Sequence, residues 1–416
     1  MSDISPKINS ERLKRLFDSI NKFGLNVETG GYNRIGFSDA DLSVRKWFTE
    51  QMKGDGLAVH SDAAGNLFGR LGDADKPCVM AGSHLDTVPE GGAFDGALGV
   101  AVALECARSI KDAGIEPTVP LVVVATSEEE GRFGGMLGSQ TISGQLPAGW
   151  VEAATDAEGV KLTEAMTVQG YAPEALEEAA WNKDSIRAFL ELHIEQGPVL
   201  ESENLSVGIV EGISGVLVLG VNLKGEANHS GTTPMHLRAD AFTGLATIGA
   251  AIPGVIDRLG GEQSRITIGK VDIKPNFPHT IPGEADFTII IRDTSADIMA
   301  NLRKAIETVV ETVAERNHLS FTIKERSYLP PQELNENIRE AFVAEAKKRT
   351  LSYTVMPSGA GHDAQTMQAF CPSGLIFVPS RNGISHAPQE WTEWADIENG
   401  AQLMLDMIVR LITKKD

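Results

Sequence analysis

Two short, wholly apolar runs at residues 78–82 and 121–125 constrain this chain more than any other feature. Neither is long enough for a helix, and neither shows the polar alternation of a half-exposed strand. Each therefore fits a strand buried on both faces, as in a parallel sheet covered by helices. Between them, residues 97–113 repeat apolar side chains at helical spacing, which gives the strand, helix, strand order of an α/β fold. Upstream, Leu13, Leu16, Phe17, Ile20 and Phe23 predict a helix from Ser10 that stops at Gly24. A second helix begins near Ser38, where Ser38 and Asp41 resemble a capping box ahead of a buried stripe of Val44, Trp47, Phe48 and Met52. Residues 188–195 alternate instead, with Leu190, Leu192 and Ile194 on one face and Glu191, His193 and Glu195 on the other.

Residues 214–329 follow a different pattern. Strands are predicted at 216–223, 265–273, 285–293 and 320–325, with helices at 239–259 and 295–318. That is β-α-β-β-α-β, the split order of a ferredoxin-like sandwich able to bury its own core. After Leu329-Pro330-Pro331, a helix at 336–349, a buried strand at 374–378 and a closing helix at 396–411 rejoin the first domain. The expectation is a discontinuous α/β domain of residues 1–213 and 330–416, interrupted by an α+β domain at 214–329. A chain of 416 residues is too long for one comfortable core.

Lys and Arg number 37 against 57 Asp and Glu, a formal charge of −20, so the surface should repel nucleic acid and anionic membranes. Cys78, Cys106 and Cys371 are odd in number and far apart, which argues against a disulfide framework and for a reducing compartment. No charged-then-apolar leader opens the sequence, and no apolar run approaches the ~18 residues of a membrane span. A soluble, cytoplasmic protein is expected.

The ends of the buried strands carry the chemistry. Gly82-Ser83-His84-Leu85-Asp86 leaves the first strand where an open α/β sheet places its ligand crevice, and Gly91-Gly92-Ala93-Phe94-Asp95-Gly96 follows. Asp86 can turn toward the His84 imidazole and fix its tautomer. The glycines let the chain wrap closely enough for Asp95 to reach the same point, and no Gly-Lys-Ser/Thr follows them, as a phosphate loop would require. The second strand runs into Thr126-Ser127-Glu128-Glu129-Glu130-Gly131, three carboxylates that repel one another in a core without a cation. His193 and His386 complete the set. Singly, a solvated turn or a structural histidine explains each motif as well. Together, three histidines, an aspartate and a glutamate supply five N/O ligands, enough for two divalent ions sharing one carboxylate about 3.5–4 Å apart. Imidazole with carboxylate and no nearby cysteine favours Zn, Mn, Co or Ni. A glutamate free of metal can act as general base.

These motifs, with residues 92–100, 192–197 and 385–388, resemble the M20 metallohydrolase superfamily, specifically its amidase/carbamoylase branch of N-carbamoyl-L-amino acid hydrolases, β-ureidopropionases and allantoate amidohydrolases. The resemblance covers essentially the whole chain. His193-Ile194-Glu195-Gln196-Gly197 and Asn228-His229-Ser230-Gly231-Thr232-Thr233-Pro234-Met235 are specific to that branch. The resemblance implies a mixed-sheet metallohydrolase domain with an inserted lid and dimerisation domain. It implies that His84, Asp95 and His193 hold one ion and that Asp95, Glu130 and His386 hold a second, zinc before manganese, cobalt or nickel. Glu129 would be the base and Asp86 a partner of His84.

Relatives usually carry a residue between the glycine and the Arg-Phe pair, whereas Gly131-Arg132-Phe133 is contiguous here. Alignment on Arg132-Phe133 would move base and ligand to Glu128 and Glu129. The resemblance further implies that His229 reaches a partner subunit's site to polarise the scissile carbonyl, in a homodimer built on the insert, and that Arg292 clamps a substrate carboxylate. His279 stands where relatives usually carry asparagine. Gln196, His236, Asn382 and residues 358–363, Gly361 among them, are further candidates for the pocket lining. The implied activity is hydrolysis of the terminal C–N bond of an N-carbamoyl amino acid or related ureido acid, releasing ammonia, carbon dioxide and the amine. The competing readings are an N-acyl amino acid amidase or dipeptidase using the same metals, and a non-catalytic binding protein, which the complete ligand set argues against.

Overall fold

In the computed structural model, which describes residues 6–413, the strands are β1 (Ala58–Ser61), β2 (Leu67–Leu71), β3 (Cys78–His84), β4 (Leu121–Thr126), β5 (Ile186–Ile194), β6 (Val207–Ile213), β7 (Gly215–Lys224), β8 (Arg265–Lys274), β9 (Glu284–Asp293), β10 (Ser320–Leu329), β11 (Gln332–Glu333), β12 (Tyr353–Ser358) and β13 (Ser373–Val378). The chain divides into two compact units. The first takes the residues up to Glu211, Leu334–Met356 and those from His362 on; the second takes Gly212–Glu333 and Pro357–Gly361.

The first unit is built on a mixed sheet in the order β1-β2-β4-β3-β5-β13-β6. Its centre is parallel, β4 with β3, β3 with β5 and β5 with β13, and its flanks are antiparallel. β3, β4 and β13 are buried along their whole length, as continuous apolar runs require. Val79, Ala81, Leu121, Val123, Leu190, Leu192, Ile376 and Val378 pack with helices Ala97–Asp112 and Trp394–Thr413 in one core. The polar face of β5 is buried as well: Glu191 and His193 are almost inaccessible, so the alternation there separates core from site. Four parallel strands thus deliver their C-terminal ends to one edge of the sheet, where ligands bind in open α/β folds.

The helix from Ser10 ends at Ile20, one turn before the expected stop at Gly24. The chain turns there because the buried Arg34 guanidinium takes the Asn21 side chain and the Phe23 carbonyl as acceptors. Helix Asp39–Gly54 starts at Ser38, whose hydroxyl accepts from the Asp41 amide.

The second unit has a four-stranded antiparallel sheet in the order β10-β7-β9-β8. Helices Ala241–Leu259 and Ala296–Arg316 bury Leu245, Ile248, Leu302, Ile306 and Val310 against Leu217, Leu219, Phe287 and Ile289. The element order is the β-α-β-β-α-β read from the sequence. Among the described residues no helix is long and apolar enough to cross a membrane, and Cys78, Cys106 and Cys371 are free and buried.

Candidate metal centre

β3 ends on His84, β5 carries His193 one residue from its end, and the loop after β4 holds Glu129 and Glu130. Asp95 enters just ahead of helix Ala97–Asp112, and His386 comes from the loop beyond β13. The two oxygens of Asp95 face different groups. Oδ1 lies 3.4 Å from His84 Nε2 and 3.1 Å from His193 Nε2. Oδ2 lies 3.3 Å from His386 Nε2, which is itself 3.3 Å from Glu130 Oε2. Both triads have the spacing of a cation site. Two ligand atoms about 2.1 Å from one ion, at a tetrahedral angle, stand about 3.4 Å apart. The Asp95–histidine separations therefore match the spacing that ligands around one ion would have, with one Asp95 oxygen turned toward each triad.

Electrostatics point the same way. Burial, followed by the Asp95 carboxylate, pushes Glu130 up to about 8. Burial and then Glu130 hold Glu129 well above the usual carboxylate range, despite His84. Burial alone would raise Asp95 and lower His84, but imidazoles hold Asp95 well below its usual value and carboxylates hold His84 well above. The hydrogen bond to Asp95 lifts the half-exposed His386 to about 9. Crowded carboxylates that retain protons are what a divalent ion would discharge.

The three adjacent glutamates have different surroundings. Glu128 sits at φ +52° with its side chain turned back to accept from the Phe133 and Gly135 amides, so it closes its own loop. Glu129 Oε2 lies 3.5 Å from His84 Nε2, and Glu130 stands with Asp95 and His386. That Glu128 cap meets the contiguous Gly131-Arg132-Phe133 at the Phe133 amide. Asp86 does not meet His84 as expected. Its backbone carbonyl, 3.0 Å from His84 Nδ1, fixes the ring. Its carboxylate is 3.9 Å away and instead accepts from the Glu130 amide at 3.1 Å, because the chain after β3 carries the side chain toward the β4 loop.

Gln196, at φ +56°, donates to Asp95 Oδ2 at 2.7 Å and to the Ser385 hydroxyl at 3.2 Å. Asn382 is exposed, at φ +56° in the turn Arg381–Gly383, and its amide donates to Glu201. The second unit holds the remaining candidates. Arg292, at the end of β9, donates to the Gly359 carbonyl at 2.6 Å, two residues before Gly361. His229 is exposed and its Nδ1 accepts from the Gly231 and Thr232 amides. It pairs with Thr280 across an isolated bridge, beside the exposed His279. His236 is exposed in the short turn Met235–Leu237.

Some of the site is not readable from motifs. Glu390 accepts from the Phe94 and Asp95 amides at 2.8 and 3.1 Å and from the Ser385 hydroxyl at 2.8 Å, tying the Asp95 loop to the His386 loop. Glu191, His193 and His362 form a third close group. Glu191 spends its oxygens on the Ser83 hydroxyl and the Ala364 amide, so this group supports His193. The carboxylate of Asp363, next in the chain, accepts from Thr126 at the end of β4. The polar face of β5 and the candidate stretch 358–363 are the sequence signals for this layer.

Known proteins resemble this chain over nearly its whole length. The chain is 36% identical over 411 residues to an N-carbamoyl-L-amino acid amidohydrolase of Geobacillus stearothermophilus, covering 97% of this chain and 99% of that one. It is 35% identical over 401 residues to an allantoate amidohydrolase of Escherichia coli K12, covering 95% and 96%. The crystal structure of an amidase of the hydantoinase/carbamoylase family from Burkholderia multivorans superposes with a TM-score of 0.90 at 30% identity, covering 99% of this chain and 100% of that one. Residues 80–410 match the peptidase family M20/M25/M40, and the chain belongs to that family.

Proposed function

We propose that this chain is an amidohydrolase that cleaves the terminal C–N bond of an N-carbamoyl amino acid or a related ureido acid, yielding ammonia, carbon dioxide and the free amine. One observation carries the reading: Asp95 turns one oxygen toward His84 and His193 and the other toward His386 and Glu130. That arrangement fits two divalent ions, zinc first and manganese, cobalt or nickel as alternatives. When bound, such ions act as Lewis acids on a carbonyl and make water more acidic. The rest is the work of side chains. Glu129, beside His84, takes the proton of the attacking water and delivers it to the departing nitrogen. The Asp86 carbonyl holds the His84 tautomer and the Asp86 carboxylate holds the Glu130 amide. Gln196 fixes Oδ2 of Asp95 and Glu390 its backbone amide. Arg292 offers a guanidinium fork for a substrate carboxylate, with His279, Asn382 and Gly361 as further contacts, and His229 acts on the scissile carbonyl in the site of a second copy, in a cytoplasmic homodimer joined through the second unit.

His279, in place of the usual asparagine, leaves a second substrate class open, N-acyl amino acids or dipeptides. One panel separates the two. Metal-reconstituted protein is incubated with N-carbamoyl, formyl, acetyl and aminoacyl amino acids and with allantoate, and ammonia and amine are measured. Ammonia release from ureido substrates, abolished by chelation and restored by a divalent ion, is expected. Equal turnover by chelated protein, or turnover of acyl substrates alone, refutes the proposal.

A further inference from the structure

We infer that Arg45 is a positioning residue for Glu129 and Glu130, an inference that rests on the metal centre proposed above. Arg45 projects from helix Asp39–Gly54 and is 2% exposed. Its Nε donates to Asp41 Oδ1 at 2.7 Å, an i,i+4 pair that alone would be an ordinary helix ion pair. The rest of the fork goes elsewhere. Nη1 donates to the Gly65 and Ala125 carbonyls, both at 3.2 Å, and Nη2 to the Thr126 carbonyl at 2.7 Å. Ala125 and Thr126 are the last two residues of β4, and Glu129 follows three residues later. Nη2 also lies 3.9 Å from Asp86 Oδ1, which has no hydrogen-bond partner among the described residues, while Asp86 Oδ2 accepts from the Glu130 amide.

One guanidinium thus grips both ends of the segment that carries the two glutamates, at Thr126 through a carbonyl and at Glu130 through Asp86. The loop at Gly65 is drawn into the same clamp: Asn66 Oδ1 accepts from the Ser127 amide at 3.0 Å, and the Ser127 hydroxyl donates to the Ala64 carbonyl at 2.6 Å. Only arginine has a rigid fork of donors that meets four acceptors at once. The geometry also makes the effect one-sided. Glu130 belongs with Asp95 and His386 and has its amide held by the Asp86 carboxylate that faces Arg45, whereas His84 meets only the Asp86 carbonyl and His193 lies a further strand away on β5.

The test is titration of metal-free wild type, R45Q and R45K with Co2+ or Zn2+ against a competing chelator, resolving two sites, with melting curves and steady-state kinetics alongside. Loss of a group that orients metal ligands typically costs about 10–100-fold in affinity or activity. In R45Q the second ion should therefore bind at least about tenfold more weakly while the first is weakened less, and kcat should fall by a similar factor with little change in KM. R45K keeps the charge and one carbonyl bond and should recover part of both losses; it also decides the matter if R45Q does not fold. Equal weakening of both ions, or wild-type affinities and kcat in a folded variant, overturns the inference. If wild type binds two ions but turns over no ureido substrate, the proposed function fails while the titration still judges Arg45. If wild type binds fewer than two ions, the inference falls as well.

Discussion

Gly96 is where the smallest change to the chain should do the most damage. It follows Asp95 and sits at φ +60°, ψ −53°, with the Ala97 amide donating to the Asp95 carbonyl at 2.6 Å. That is a γ-turn with positive φ, a strained conformation for an L-residue, costing about 1–3 kcal/mol when a side chain is present. Space is the second obstacle. A Cβ on Gly96 would overlap Cε1 and Nδ1 of the His84 ring and stand 2.6 Å from its Cγ. Carbon atoms pack about 3.5–4.0 Å apart, so the imidazole would have to retreat by about 1 Å. His84 is 2% exposed and its Nδ1 is held by the Asp86 carbonyl, so that retreat also strains the turn after β3. Displacements of this size at a reacting centre cost about 100-fold in rate. Gly96→Ala should therefore melt earlier than wild type, bind the ion shared by His84, Asp95 and His193 more weakly, and turn over about 100-fold more slowly. Calorimetry, chelator-competed metal titration and ammonia release measure the three. A variant with wild-type melting temperature and undiminished affinity for both ions would refute the steric argument at its root.

Two further outcomes follow from the same geometry. Glu129→Gln should keep both metal ions and lose about 100- to 10,000-fold in kcat, the range for a general base, whereas Glu130→Gln should lose one ion; the reverse result, by elemental analysis and kinetics, would assign the roles to Glu128 and Glu129. The chelated protein should lose thermal stability as pH rises from about 4.5 to about 9. Buried Glu191, Glu128 and Glu130 are raised to about 7, about 8 and about 8, so the folded state keeps protons that the unfolded chain has already released, and stability present below the ordinary carboxylate pKa is lost on the way up. His386, raised to about 9, acts in the same direction, since its bound proton stabilises until pH passes that value. A melting temperature that climbs between pH 5 and 9 in chelator would contradict this.

Periodicity and strand ends made most of the framework legible. The run at 78–82 is β3, the run at 121–125 is β4, and the β-α-β-β-α-β order of the second unit can be read from its alternation and helix spacing. Residues that bring their own sequence signal, His84 off a buried strand or Glu129 and Glu130 after one, could be singled out because a charged group at a buried strand end demands a reason. What could not be read is whatever depends on the path of the backbone. Arg45 occupies a helix position next to Val44 and four residues from Asp41, a spacing common on solvated helix faces, and only the fold shows it reaching β4. Glu390 serves amides nearly 300 positions earlier, for which no local pattern exists. Asp86 shows the limit in reverse: its spacing from His84 is right for a carboxylate–imidazole contact, but the local turn supplies the carbonyl instead.

The buried acids divide by how their charge is compensated, and that division separates scaffold from chemistry. Asp41 has the Arg45 guanidinium, Glu128 two amides, and Glu390 two amides and a hydroxyl; each partner is built into the chain and none can leave. Asp95 lies against three imidazoles, and Glu129 and Glu130 against one each. An imidazole that gives up its proton presents a lone pair, so the compensation of these three carboxylates is exchangeable between protons and divalent ions, with protons released on binding. The net charge of −20 describes an exterior that repels anions. Inside, the same residue types arranged around three neutralisable histidines make a cation-seeking centre.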